Sequence, residues 1–262
     1  MINAVVFSKD RACQLDLLLT SLERNGKDVF EPVVVYQATT ADHEAAYEIC
    51  RTRFPRVQFL PDTLVPLSVA AAALAYADLA CFFTDDSVLY LSLPGKPQLD
   101  DDVLCFSLRL GRNTTWCYPH GRLQRLPPFM ETDAILKWNW KTAKRDFGYP
   151  ASVDGHVFRG HDINAALHDC PPDANPNQIE EHLVTALKHD RRDTMASFHH
   201  SCLVGIPANV VSSTSRNRHA EQHAWGTDEL MAGYLNGWRI QLDGLDFTDV
   251  RGAHQEIDVV LS

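Results

Sequence analysis

Leu79-Ala-Cys-Phe-Phe-Thr-Asp-Asp-Ser87 is an apolar run of strand length that breaks abruptly into two adjacent carboxylates. A short apolar run bounded by turn residues reads as a strand buried on both faces, as in parallel sheets. Three similar runs precede it, at residues 2–7, 33–36 and 57–60. Leu15, Leu18, Leu19 and Leu22 recur at helical spacing after the first run, with Asp10 as the expected N-cap and Asn25-Gly26 as the stop. Residues 42–54 read as a second helix ended by Pro55, and the alanine-rich residues 68–77 as a third. This alternation predicts an α/β fold, a Rossmann-like and mostly parallel sheet flanked by helices. Ligands of such sheets bind beyond the carboxyl ends of the strands. Residues 8–11 and 84–86 both fall at such ends, which puts them in one expected site.

Past residue 110 the pattern loosens. Residues 103–110 read as a further strand, and residues 112–160 are rich in aromatics, prolines and glycines that suit irregular strands around a pocket. Helices are expected at 177–188, behind Pro176, and at 228–236, closed by Gly237, with a strand at 202–211. The chain shows no repeat and no low-complexity linker. It therefore reads as one domain over residues 1–262, with a first half, 1–110, and an irregular second half, 111–262.

Composition narrows the function. The 262 residues carry a formal net charge of −10, which repels a phosphate backbone and argues against a nucleic-acid partner. Arg11, Arg216 and Arg218 still offer a local basic pocket for a diphosphate. The seven cysteines include no C-x-x-C pair, so they read as reduced, buried thiols of a cytoplasmic protein. No apolar run reaches the roughly 20 residues that cross a bilayer, and the chain enters a strand at once, so no signal peptide is expected.

The adjacent Asp85 and Asp86 are the first chemical signal. Packed at the edge of a core, two carboxylates raise each other's pKa, and a divalent cation relieves that cost. A solvated strand-end turn is the plainer reading of the same residues. Ser152-Val-Asp-Gly-His156 places Asp154 and His156 around a glycine, either lining a pocket or forming a simple turn. Trp138 and Trp140 alternate, so a strand would present both rings on one side, as core filling or as a sugar-stacking platform. In Asn175-Pro-Asn-Gln-Ile-Glu-Glu181, Asn177 and Glu180 match a capping box. The pairs His161-Asp162 and His168-Asp169 lack the further histidines of a metal hydrolase, and His199-His200 has no partner at ligand spacing; all read as structural.

Val5-Val-Phe-Ser-Lys-Asp-Arg11 with its Leu-rich helix, together with Phe82-Phe-Thr-Asp-Asp86, resembles the donor half of bacterial GT-A glycosyltransferases related to family 2. The segments Tyr149–His156 and Asn175–Glu180, the run Ile206-Pro-Ala-Asn209 and Arg216-Asn-Arg-His219 extend that resemblance over most of the chain. The resemblance implies a GT-A fold and an enzyme that moves a sugar from a nucleotide-sugar donor, a UDP-sugar first, to a saccharide or glycolipid acceptor by inversion, in bacterial surface polysaccharide assembly. It implies donor binding by Ser8, Lys9, Arg11, Asp85, Arg216 and Arg218. It implies a Mn²⁺ or Mg²⁺ cofactor on Asp86, with Asp85 and His219 as further ligands. Thr84 replaces the first acidic residue of the family's metal motif. Glu180 leads as catalytic base, followed by Glu181 and Asp154, while His156, Trp138 and Trp140 stand as acceptor contacts. Peripheral association with the inner face of a membrane, through the acceptor or a partner domain, goes with a glycolipid acceptor. A sugar nucleotidyltransferase and a non-catalytic carbohydrate-binding module are the rivals; the first needs a glycine-rich loop after the first strand, which Ser8-Lys-Asp-Arg11 lacks.

Overall fold

In the computed structural model, residues 1–26, 28–63, 77–132, 134–209 and 224–262 are described. The expected helix at 68–77 falls almost wholly outside them, as does the end of the expected strand at 202–211. Four strands follow the expected order: β1 (Ile2–Lys9), β2 (Phe30–Gln37), β3 (Gln58–Pro61) and β4 (Leu79–Thr84). They pair in parallel, with β1 between β2 and β4. The chain thus runs outward to β3 and then returns to the other side of β1. The gap beyond the ends of β1 and β4 is the topological switch point, where ligands of doubly wound sheets lie.

The sheet continues through the strand at 103–107 and strands of the second half. Its order is β3-β2-β1-β4-β11-β6-β12-β10-β9, where β6 is Val103–Ser107, β9 Met130–Glu131, β10 Ile135–Asn139, β11 His156–Arg159 and β12 Thr194–Phe198. Only β11 and β10 run against the others. Because β11 lies between β4 and β6, the two halves share one sheet. Two short pairs sit apart from it: β5 (Ser87–Leu89) pairs with β13 (Leu203–Gly205), and β7 (Trp116–Cys117) with β8 (Arg122–Leu123).

Strand alternation sorts the core onto two faces. Val6, Val34, Cys81 and Phe83 join one cluster, and Val5, Phe7, Val35 and Phe82 the other, as a period of two requires. Each such side chain taken fully out of water stabilises the fold by about 1.5–3 kcal/mol. Helices α1 (Ala12–Gly26), α2 (Ala41–Arg53) and α5 (Thr227–Leu235) cover the first face. Helices α3 (Gly160–Ala166) and α4 (Pro176–Leu187) cover the second. Helix α1 is enclosed on nearly every side, so its polar residues need partners. Asp16 meets Arg53 at 2.6 Å and the Tyr234 hydroxyl at 2.6 Å.

Two helix starts differ from expectation. Asp10 does not cap α1: it lies at φ 55°, and its carboxylate accepts from the Thr39 N–H and hydroxyl instead. The cap of α4 is Asn175, which exchanges hydrogen bonds with Gln178 in a capping box. Asn177 and Glu180 are therefore not that box, and the Glu180 carboxylate is left for other work. His168 lies beyond the end of α3, and Asp162 pairs with Arg192 at 2.6 Å, a structural ion pair.

Candidate active site

A cavity of about 760 Å³ opens at the carboxyl ends of β1 and β4. One wall is the loop after β1, together with Thr84, Asp85 and Asp86 after β4. The Asp85 N–H donates to the Phe7 carbonyl at 3.1 Å, which splices this turn to β1. The Lys9 N–H donates to Asp85 Oδ2 at 3.2 Å, and Arg11 Nη1 donates to Asp85 Oδ1 at 2.9 Å and Asp86 Oδ2 at 3.4 Å. Arg11 Nη2 reaches the Asn209 carbonyl at 2.5 Å. The repulsion expected between the two aspartates is thus relieved from within, by Arg11. Burial still pushes the Asp85 carboxyl up to about 6, with Arg11 opposing it and Asp86 adding to it.

This geometry reassigns two residues. Arg11 is buried and committed to Asp85, Asp86 and Asn209, so it is a strut rather than an open diphosphate contact. Asp85 accepts on both oxygens and its side chain is nearly wholly buried, so it offers the cavity less than Asp86 does. Asp86, whose side chain is 16% exposed, lines the cavity. No group of three or more His, Cys, Asp or Glu side chains that could hold a metal occurs among the described residues. Asp86 alone nevertheless suits Mg²⁺ or Mn²⁺ of the kind bound through one or two carboxylates and the ligand's phosphates. Ser8 and Lys9 also line this wall, with the Ser8 hydroxyl 2.7 Å from that of Tyr47. Arg216, Arg218 and His219 lie outside the described residues.

The loop before β11 and the start of α4 also line the cavity. The Glu180 carboxylate accepts from the Tyr149 hydroxyl at 2.8 Å and the Val153 N–H at 2.9 Å, and all three residues line the cavity. Glu181, next on α4, points to solvent outside the cavity lining.

Asp154 lines the cavity next to Val153. It accepts from Arg109 Nη1 at 2.7 Å and from the Ser87 hydroxyl, with His254 Nε2 at 3.3 Å. Burial would push its carboxyl up, but the His254 hydrogen bond and the Arg109 charge outweigh burial and hold it below the usual carboxylate range. A carboxylate that resists protonation is a poor base, so Asp154 is a structural anion here.

His156 is buried, with Nδ1 donating to the Pro150 carbonyl at 3.1 Å, and burial followed by the Arg109 charge pushes it down to about 3. It does not line the cavity. Trp138 is wholly buried, its indole N–H on the Phe147 carbonyl and its ring edge-on to Phe129 and Phe147. Trp140 donates to the Arg192 carbonyl and packs against the same core. The two rings share a side, as alternation predicts, but it is the core side, so neither they nor His156 lines the cavity.

Among the lining residues left unmarked in the sequence are Arg109, just past β6, and His254, in the tail. His254 is placed by a bridge between its segment and Gly205 and packs where a Cβ on Gly205 would fall 2.4 Å from its Cδ2. Neither stands in a motif or a period, and only long-range pairing brings them in.

No protein-family model matches the chain, and no curated protein matches it. Among solved structures it is similar to S. aureus TarS 1–349, at 18% identity and a TM-score of 0.46, over 78% of this chain and 59% of that one. In complex with UDP-GlcNAc, the same protein aligns at 15% identity and a TM-score of 0.48, over 93% of this chain and 69% of that one. The mannosyltransferase PcManGT from Pyrobaculum calidifontis, in complex with GDP-Man and Mn²⁺, aligns at 14% identity and a TM-score of 0.39, over 75% and 56%. The chain spans under two thirds of the length of the first and third of these. At such scores the likenesses assign no activity and no ligand to this chain.

Proposed function

We propose that the cavity is the active site of a glycosyltransferase that takes a nucleoside diphosphate sugar, a UDP-sugar first, and passes the sugar to a hydroxyl of a saccharide or glycolipid. The observation that carries this reading is one cavity lined both by the Asp85–Asp86 turn and by the Glu180 carboxylate. Sugar transfer needs both kinds of group: one to steady a departing diphosphate, the other to take a proton from the attacking hydroxyl.

Ser8 and Lys9 hold the nucleoside and diphosphate end. Among the described lining residues, the acidic groups Asp62, Asp85, Asp86, Asp146, Asp154, Asp173 and Glu180 outnumber the bases Lys9, Arg11, Arg109 and Arg145. A bare diphosphate would be repelled there, so a divalent cation would have to accompany it, and Asp86 is the residue that would hold that cation. When bound, that cation neutralises charge on the leaving diphosphate. The family resemblance adds Arg216, Arg218 and His219 as contacts of the same group. Glu180, aimed by Tyr149 and the Val153 N–H, accepts the acceptor's proton as its oxygen attacks the anomeric carbon, with inversion. A nucleotidyltransferase is disfavoured, because the loop after β1 has no glycine to admit a triphosphate and its Arg11 is committed to the carboxylates.

The test is thermal shift with UDP, GDP, CMP and dTDP, each with Mn²⁺ and with EDTA. A ligand that binds only the native state raises the melting point. One nucleotide should shift wild type only with metal, and Asp86→Ala should lose the shift while keeping its unliganded melting point. A metal-independent shift would remove Asp86 from metal binding, and no shift with any nucleotide would sink the transferase reading.

A further inference from the structure

Residues 103–145 hold eight basic side chains and two acidic ones, a net of +6 within a chain of net −10. Part of this charge is used internally: Arg109 pairs with Asp154, Arg112 with Glu131, and Lys137 with Asp100 and Asp102. Arg122, Arg125 and Lys144 are exposed and have no ion-pair partner among the described residues. They gather about the β7–β8 hairpin. Arg122 and Leu123 form β8, Arg125 follows, and Arg145, the neighbour of Lys144, donates Nη1 to the Leu123 carbonyl. Leu123 stands 68% exposed between two arginines. The turn of this hairpin, at Pro119 and His120, and Arg145 itself border the cavity.

A lone exposed leucine is ordinary. What sets this one apart is its place inside the basic island of an acidic protein, on a hairpin that rims the cavity. We propose that the β7–β8 hairpin docks on an anionic lipid bilayer, with Leu123 entering the acyl boundary and Arg122, Arg125 and Lys144 lying against the headgroups. A soluble polyanion would also satisfy the arginines, but it would leave Leu123 in water, so this exposed leucine favours lipid. The acidic bulk of the protein does not forbid this contact, because exposed charges beyond a Debye length of about 8 Å at physiological salt are largely screened. The proposal stands apart from the transfer reaction and needs no donor or acceptor to be tested.

The experiment is co-sedimentation of the whole chain with vesicles of phosphatidylcholine alone, and of phosphatidylcholine mixed equally with phosphatidylglycerol, at low and at high salt. Wild type should sediment with the mixed vesicles only, and less so at high salt. Arg122→Glu with Arg125→Glu should lower the bound fraction by about tenfold or more, since each basic residue near an anionic surface contributes appreciably. Leu123→Ser should lower it as well, with all variants melting within a degree or so of wild type because the three positions are exposed. Failure of wild type to bind mixed vesicles, or equal binding by the charge-reversed variant, overturns the proposal. So does undiminished binding by Leu123→Ser with dextran sulfate displacing both proteins, which would make the hairpin a general polyanion site.

Discussion

Asp154 joins the parts of the cavity wall. Its carboxylate collects Arg109 from the loop after β6, Ser87 from β5 and His254 from the tail. Replacing it with Asn keeps the shape but leaves the buried Arg109 guanidinium without its anion. Asp154→Asn should therefore cost about 3 kcal/mol or more in unfolding free energy, read from denaturant melts. Asp86→Asn, on a partly exposed carboxylate that shares Arg11 with Asp85, should cost far less. The sequence could mark Asp154 as a polar residue beside a glycine. It could not show that the residue is anchored rather than reactive, because its partners lie 45, 67 and 100 positions away along the chain.

At the scale of elements, the loop entering β11 turns on Gly155, which sits at φ +70° with an added Cβ only 2.1 Å from Leu203 Cδ2. Gly155→Ala combines left-handed strain with a clash in a filled core, and should destabilise by about 2–4 kcal/mol. The melting point would record the loss, while Gly237→Ala, also at positive φ but with nothing within 4 Å of an added Cβ, should cost only the strain. The elements that could be read from sequence were those with their own period. Strands β1 to β4 are apolar runs, and α1, α2, α4 and α5 carry helical spacing and stops. The strands β7, β8 and β9, of two residues each, are too short to show any alternation. The expected caps of α1 and α4 failed for a related reason. Local sequence offers several candidate oxygens, and contacts such as Thr39 with Asp10 decide which is used elsewhere.

For the whole molecule, acid should be the weak side. His156 is buried neutral, with its pKa pushed down to about 3 by burial and then by Arg109. Its folded value lies below its unfolded one, near 6.5, so the unfolded chain takes up a proton first. The stability contributed by the neutral ring is full above pH 6.5 or so and falls as pH drops toward about 3. Asp154, held below the usual carboxylate range, loses its own contribution at still lower pH. Melting points measured from pH 7 down to 4 should fall more steeply for wild type than for His156→Gln; parallel curves would remove His156 as the cause. The first half of the molecule and the place of its cavity were legible because a βαβ chain obeys rules of handedness and strand-end binding. The second half was not, since its strands are slotted into the same sheet out of order. That threading has a consequence for how the protein comes to exist. The Trp116 N–H is received by Arg251, the Gly205 N–H by Ala253, and His254 reaches Asp154. A nascent chain can lay down its four parallel strands early on the ribosome, yet its cavity wall stays open until residues 251–254 leave the exit tunnel. Translation that halts before them would leave that wall incomplete.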